Sequence, residues 1–150
     1  MSAIESLRTL VGGWTGTSRL IMPGEPAHES QSSLSIGLAA RDKFTTIAYT
    51  WSFDNEPQEG MLVIGQDQSL LHGVWIDSWH MGDKLMMLRG QAEAHGAIVL
   101  RGSYAVEGSP DWGWRVDLEP AGSTFRLTMY NMSPEGEEDL GVDATYTKSA

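Results

Sequence analysis

The chain has 150 residues, a formal net charge of −10 from 20 acidic and 10 basic side chains, and no cysteine. This length fits one domain, residues 1–150, that buries a substantial core without cross-links. The missing cysteines exclude disulfides and thiolate chemistry and agree with a cytoplasmic location. The basic side chains are scattered and no apolar run approaches the ~20 residues that cross a bilayer, so neither nucleic acid nor a membrane is an expected partner.

Residues 2–11 predict a short helix. Ile4 and Leu7 are spaced as on one helical face, and Ser2 with Glu5 three residues later has the pattern of a capping box. The segment lacks the long apolar run of a signal peptide, so export is not expected. We expect the helix to close one end of a barrel formed by the strands that follow.

Ten short segments of alternating apolar and polar residues come next, each ended by turn residues. They span about 14–22, 28–38, 43–53, 59–67, 70–81, 84–93, 97–106, 112–119, 123–132 and 139–148. Because the connections are short and contain no helix, the strands are expected to pair with their chain neighbours in antiparallel fashion. The predicted fold is all-β, a single up-and-down antiparallel β-barrel of about ten strands.

Alternation along each strand predicts which side chains enter the barrel. Ile47, Tyr49 and Trp51 share one face with Phe53, and this apolar set is expected inside. The strand 70–81 is ambiguous, because both of its faces carry apolar side chains. We place Trp75, Asp77 and Trp79 inside, since tryptophan buries more apolar area than valine or isoleucine. Val74 and Ile76 then form an outer apolar patch, which predicts a homodimer face.

The inward set predicts a ligand cavity with aromatic walls and a few polar groups, the composition of a small-molecule pocket. The predicted ligand-binding residues are Tyr49, Trp51, Trp75, Asp77, Trp79, Tyr104, Trp114, Met129, Asn131 and Tyr146. Further polar candidates are Ser18, Ser30, Ser32 and Lys148. The predicted partner is a small hydrophobic or aromatic molecule. The alternative is that the same aromatic side chains fill the barrel completely.

Two other function classes remain open. A cofactor-free enzyme of the isomerase or lyase type would use Asp77 as a general base whose pKa is raised by an apolar cavity. If Asp77 instead serves the cavity as a buried charge, Lys148, Tyr104 or a ligand is its expected partner. His80 is not expected to assist, because its odd separation from Asp77 places the two on opposite faces of a strand unless a bulge intervenes. No histidine pair has metal-ligand spacing, so no metal is predicted. The third class is a structural homodimer without a ligand.

Three segments carry a resemblance to known barrels. Gly12-Gly13-Trp14 resembles the Gly-x-Trp motif that opens the first strand of calycins, the superfamily of lipocalins and fatty-acid-binding proteins. The resemblance implies that Trp14 closes the barrel base under a cationic side chain of the last strand, here Lys148. With residues 75–81 and 130–137, the whole chain is similar to a bacterial family of unassigned function with a calycin-like barrel. That likeness implies the fold and no established activity.

Two calycin-like groups bind known ligands, and the sequence can be checked for the residues that hold each ligand. Fatty-acid-binding proteins hold the lipid carboxylate with Arg-x-Tyr, but here Ala144 stands two residues before Tyr146, and Arg89 is the substitute considered. The haem-binding nitrobindins resemble the chain at the Trp motif and need an inward histidine as iron ligand. None of the four histidines has a clear inward position; they are His28, His72, His80 and His95. Haem, and any other cofactor, is therefore not expected.

Overall fold

Ten antiparallel strands and one short helix make up the computed structural model, which describes residues 2–93 and 96–149. The elements are α1 (Ala3–Arg8), β1 (Gly12–Leu20), β2 (His28–Ala39), β3 (Phe44–Phe53), β4 (Glu56–Asp67), β5 (Leu70–Asp77), β6 (Met86–Ala92), β7 (Ile98–Tyr104), β8 (Trp112–Ala121), β9 (Thr124–Met132) and β10 (Glu138–Lys148). Each strand pairs with its chain neighbours, and β1 pairs with β10 to close the barrel. The predicted closed, all-β barrel of ten strands is confirmed.

The helix α1 closes the barrel end at which Trp14 lies. Its capping box is present, with the Ser2 side chain accepting from the Glu5 backbone N–H and the Glu5 carboxylate accepting from the Ser2 N–H. Ile4 and Leu7 are buried, as the helical spacing predicts. Among the described residues, no helix is long and apolar enough to cross a membrane.

Trp14 is the central side chain of this base. It is 2% exposed, and its indole N–H donates to the carbonyl oxygen of Leu10 at 2.9 Å. The Lys148 ammonium lies 5.5 Å from the centroid of the Trp14 ring, within cation–π range, and donates to the carbonyl oxygen of Val11. The predicted stacking of Lys148 on Trp14 is confirmed. Lys148 is nevertheless exposed at the barrel end, so its assignment as a polar cavity residue is wrong.

The predicted alternation holds along most strands. Ile47, Tyr49 and Trp51 on β3 are buried and Phe53 is half-buried. Trp75 and Asp77 on β5 are also buried. Val74 is half-buried and Ile76 is exposed on the outer face, which resolves the ambiguity of that strand as predicted. Arg89 is also exposed on the outer face, so it does not replace the missing carboxylate clamp.

Strand β5 is shorter than the sequence pattern predicts. It ends at Asp77, and residues 78–83 form a turn instead of continuing the strand to Met81. The physical reason is the Asp77 side chain, which accepts hydrogen bonds from backbone N–H groups that a strand would present to a neighbour. The inward placement of Trp79 is therefore wrong: it lies in the turn with 36% of its surface exposed.

Candidate ligand-binding site

The carboxylate of Asp77 is the centre of a buried hydrogen-bond network at the end of the barrel opposite Trp14. One oxygen accepts from the hydroxyl of Tyr49 at 2.7 Å and from the indole N–H of Trp51 at 3.3 Å. The other accepts from the backbone N–H groups of Trp79 and His80, both at 2.9 Å. The Tyr49 oxygen in turn accepts from the indole N–H of Trp75 at 2.9 Å. Asp77 is only 2% exposed, so these donors stabilise its charge without water.

The network explains how a buried carboxylate is tolerated here. Tyr49 and Trp51 supply the donors, instead of Lys148, Tyr104 or a ligand as the sequence suggested. Four donors occupy the acceptor positions of a carboxylate, which has about four lone-pair sites. Asp77 is thus arranged as an anchor for the turn 78–83, and its geometry does not favour the general-base hypothesis.

The turn carries the His80 ring into the barrel mouth. The ring centroid lies 4.8 Å from that of Trp79, 5.5 Å from those of Trp75 and Trp114, and 5.6 Å from that of Trp51. The expectation that His80 does not face inward is wrong, because the chain leaves the strand before reaching it. Among the other histidines, His72 is exposed, His28 is half-buried, and His95 lies outside the described residues.

Burial shifts the proton affinities of the side chains in this cluster. It lowers the pKa of His80, with the charge of Asp77 acting in the opposite direction. Burial raises the pKa of Tyr49 well above its usual value, and the negative charge of Asp77 adds to the effect. Burial also raises the pKa of Tyr146 to about 12, while its hydrogen bond to Ser32 acts against the rise. His80, Tyr49 and Tyr146 are therefore neutral near neutral pH.

Because the pKa of His80 is lower in the folded state, the unfolded chain binds more protons below about pH 6.5. The contribution of neutral His80 to the free energy of unfolding is therefore present above that pH and is lost as the pH falls. We expect His80→Asn to lose less unfolding free energy than the wild type between about pH 7.5 and about pH 5.5 in urea titrations. The exposed His72→Asn is the matched control and should follow the wild type; equal losses in all three proteins would contradict the assignment.

The deep interior holds little free space. A small cavity between the aromatic network and the core leaves about 10 Å³ for water centres, room for about one molecule. It is lined by Ser18, Leu20, Tyr49, Trp51, Asp77, His80, Leu127, Met129, Val142, Ala144 and Tyr146. The Tyr146 hydroxyl is paired with that of Ser32 at 2.8 Å. Side chains therefore fill the barrel, as in the alternative considered for the sequence, and a larger ligand does not fit here.

Two larger grooves open at the mouth, one on each side of His80. One has a volume of about 530 Å³ and includes Trp75, Tyr104 and Lys84, and the other, of about 560 Å³, includes Met22, Trp79 and Asp139. Three residues line both grooves: His80, Trp114 and Asn131. These volumes fall in the range of small-molecule sites.

Trp114 is the wall that the two grooves share. Its ring stacks on that of Trp75, with centroids 5.3 Å apart and an interplanar angle of 8°. Trp114 is 8% exposed, yet its indole N–H is buried and has no hydrogen-bond partner among the described residues. Buried donors are nearly always paired. Side-chain atoms of His28, Thr45 and Thr128 also lack a hydrogen-bond partner among the described residues, but of these four residues Trp114 alone lines the two grooves.

The predicted site residues separate into two levels. At the mouth lie Trp75, Trp79, Tyr104, Trp114 and Asn131, with the Tyr104 hydroxyl donating to the Asn131 side-chain oxygen at 2.6 Å. Deeper in the barrel lie Tyr49, Trp51, Asp77, Met129 and Tyr146. Ser30 is bound to the backbone N–H of Ser52 and lines neither groove.

The sequence analysis missed His80 as a mouth residue. The available signal is the composition that follows Asp77: a serine directly after it and Gly82-Asp83 beyond are turn residues. An Asp whose side chain bonds to the backbone two or three residues later ends a strand locally.

Comparisons with known proteins agree with this architecture. No curated protein matches the chain. A crystal structure of Rv2717c from M. tuberculosis has a TM-score of 0.70 at 12% identity, with 100% of this chain and 99% of that chain covered. The structure of the S-type phycobiliprotein lyase CPES from Guillardia theta has a TM-score of 0.62 at 16% identity, covering 100% and 94%. At these identities the likeness shows the barrel fold. The model of the family described as protein of unknown function DUF1579 matches residues 2–148, and the chain belongs to this family.

Proposed function

We propose that the protein binds a small, planar, apolar or aromatic molecule at the barrel mouth, against the stacked rings of Trp75 and Trp114. The observation that carries this proposal is the unpaired, buried indole N–H of Trp114, on a wall shared by two grooves of ligand size. The aromatic surface supplies contact area, and the N–H supplies one directional contact to an acceptor of the ligand.

Contacts within the chain hold the residues of the mouth in place, which favours binding. The hydrogen bonds of Asp77 hold the turn 78–83, and the turn holds His80 against the tryptophan rings. A preformed site loses less side-chain freedom when the ligand binds than a flexible one. A phycobiliprotein lyase among the solved structures that share this barrel is consistent with a small-molecule ligand.

Binding at the mouth differs from the interior cavity expected from the sequence. The deep residues Tyr49, Met129 and Tyr146 surround space for about one water molecule, so in this proposal they support the site from below. The enzyme hypothesis with Asp77 as base receives no support from the geometry, because protein donors already fill its acceptor positions.

We test the proposal with anilinonaphthalene sulfonate, a fluorescent dye with a flat naphthalene ring and acceptor oxygens. We expect saturable binding to the wild type, followed by dye fluorescence. Trp114→Phe keeps an aromatic wall and removes the N–H, so affinity should fall about threefold to tenfold, the effect of one hydrogen bond.

Tyr130→Phe is the matched control, since it removes a hydroxyl from the outer face, where Tyr130 stacks under Arg115. Its dye affinity should equal that of the wild type. An equal loss in both variants, or no saturable binding by the wild type, would contradict the proposed site. Native mass spectrometry of protein from its own host gives the complementary measurement, a bound small molecule that Trp114→Phe retains less well.

A further inference from the structure

Apolar side chains form a patch on the outer face of β4, β5 and β6, together with the residue that directly precedes β6. This outer patch consists of Met61, Val63, Val74, Ile76, Leu85 and Met87. Across the strands Met61 is opposite Ile76, and Val74 is opposite both Val63 and Met87. Three members are strongly exposed: Ile76 by 46%, Leu85 by 58% and Met87 by 66%. Contiguous apolar surface of this kind marks an interaction site.

Opposite charges lie beyond the two ends of the outer patch. Arg89 is two residues after Met87 on β6, and Glu59 is two residues before Met61 on β4. The two are thus placed on opposite sides of β5 and at opposite ends of the patch. Both are exposed, and neither forms an ion pair within the described part of the chain. Arg101, directly across from Arg89 on β7, increases the positive charge at that end.

We propose that the outer patch is the interface of a symmetric homodimer, in which Arg89 of each copy lies opposite Glu59 of the other. A two-fold axis that lies in the interface and crosses β5 between Val74 and Ile76 brings the patch against itself. When this axis is perpendicular to the line from Arg89 to Glu59, it also exchanges the two charged ends. Such self-complementarity is what an isologous interface requires.

Charge complementarity selects a second copy over an unrelated partner. With a net charge of −10, two chains repel each other at long range, and a purely apolar contact would leave that repulsion uncompensated. Each dimer would contain two Arg89–Glu59 ion pairs. Their attraction acts at the contact surface and fixes how the two patches are aligned. The dimer and the proposed ligand site share only Leu85, which lines one groove of the mouth; the other five residues of the outer patch line neither groove.

The first experiment measures the mass of the protein in solution by sedimentation velocity at about 50 µM, a concentration at which micromolar dimers are populated. We expect a dimer for the wild type and a monomer for Met87→Lys, which places a charge in the patch. Leu70→Lys is the matched control, because Leu70 is an exposed apolar residue on the same strand β5 but outside the patch. It should remain a dimer. A monomeric wild type, or a Met87→Lys dimer as stable as the wild type, would overturn the proposal.

The second experiment tests the pairing. Glu59→Arg and Arg89→Glu each place like charges face to face, so each should weaken dimerisation by about tenfold or more. The variant with both changes restores opposite charges and should return to within about threefold of the wild type. Near-ultraviolet circular dichroism checks that all three variants are folded. A double variant that dimerises no better than the single ones would rule out the proposed register.

Discussion

Replacing Asp77 with alanine is expected to lower the free energy of unfolding by about 3–5 kcal/mol, because it leaves a buried set of donors without an acceptor. The donors are the Tyr49 hydroxyl, the Trp51 indole N–H and two backbone N–H groups of the turn. Water does not easily replace the carboxylate as their acceptor, because Asp77 is only 2% exposed. Urea titration followed by tryptophan fluorescence measures the loss.

Asp77→Asn separates the charge of the anchor from its shape. The amide oxygen can still accept from the turn, but its NH₂ group would meet the indole N–H of Trp51, so two donors would face each other. We therefore expect a loss between that of the alanine variant and zero. The hypothesis that Asp77 is a general base requires a different result, in which Asp77→Asn leaves folding largely intact and removes turnover.

Asp83→Ala is the matched control for this series. Asp83 belongs to the same turn, is exposed, and forms no side-chain hydrogen bond among the described residues, so its loss should stay below about 0.5 kcal/mol. If Asp77→Ala cost no more than Asp83→Ala, the carboxylate would not be the anchor of the mouth. We would then have to seek another cause for the position of His80.

The barrel was readable from the sequence because strand alternation is a local property. Tyr49, Trp51 and Phe53 lie two residues apart, and the pleat alone sends them to one side of the sheet. The motif at Trp14 likewise led to the right partner, since the antiparallel register of β1 and β10 sets Trp14 directly opposite Lys148. These inferences need only backbone geometry and strand order.

The mouth was not readable in the same way, because it depends on contacts between distant segments. The hydrogen bonds that end β5 are local, from the turn to Asp77, but the inward position of the Asp77 carboxylate is held by donors on β3, 26–28 residues earlier in the chain. Once the strand ends there, Trp79 moves outward and His80 moves in, and both predicted orientations reverse. The unpaired N–H of Trp114 is equally invisible in the sequence, since any tryptophan carries the same donor.

The amount of free space inside the barrel was also beyond sequence reasoning. The same inward residues describe a hollow cavity or a filled core, depending on rotamers and on how closely opposite walls approach. Here the Tyr146 hydroxyl extends over Gly16 of β1 to Ser32 on β2, and the rings of Trp75 and Trp114 stack at the mouth. The binding surface is consequently displaced from the deep barrel to its rim.

Trp14→Ala is expected to cost about 3–5 kcal/mol of unfolding free energy, the range for removing a large buried aromatic side chain. Trp14 fills the base between α1 and the barrel, 2% exposed and 5.9 Å from the Phe125 ring centroid. Its removal leaves a cavity and also unpairs the carbonyl oxygen of Leu10. Urea titration followed by far-ultraviolet circular dichroism reports the loss without relying on this tryptophan's fluorescence.

Two further variants divide the contribution of Trp14 into its parts. Trp14→Phe keeps an aromatic ring and loses the hydrogen bond to Leu10, so it should cost less than alanine. Lys148→Met keeps a long side chain and removes the cation, and should cost about 0.5–1 kcal/mol, the value of an exposed cation–π contact. If Trp14→Ala lost less than about 1 kcal/mol, the side chain would contribute no more than a surface residue. The helix would then have to close the base by the packing of Ile4 and Leu7 alone.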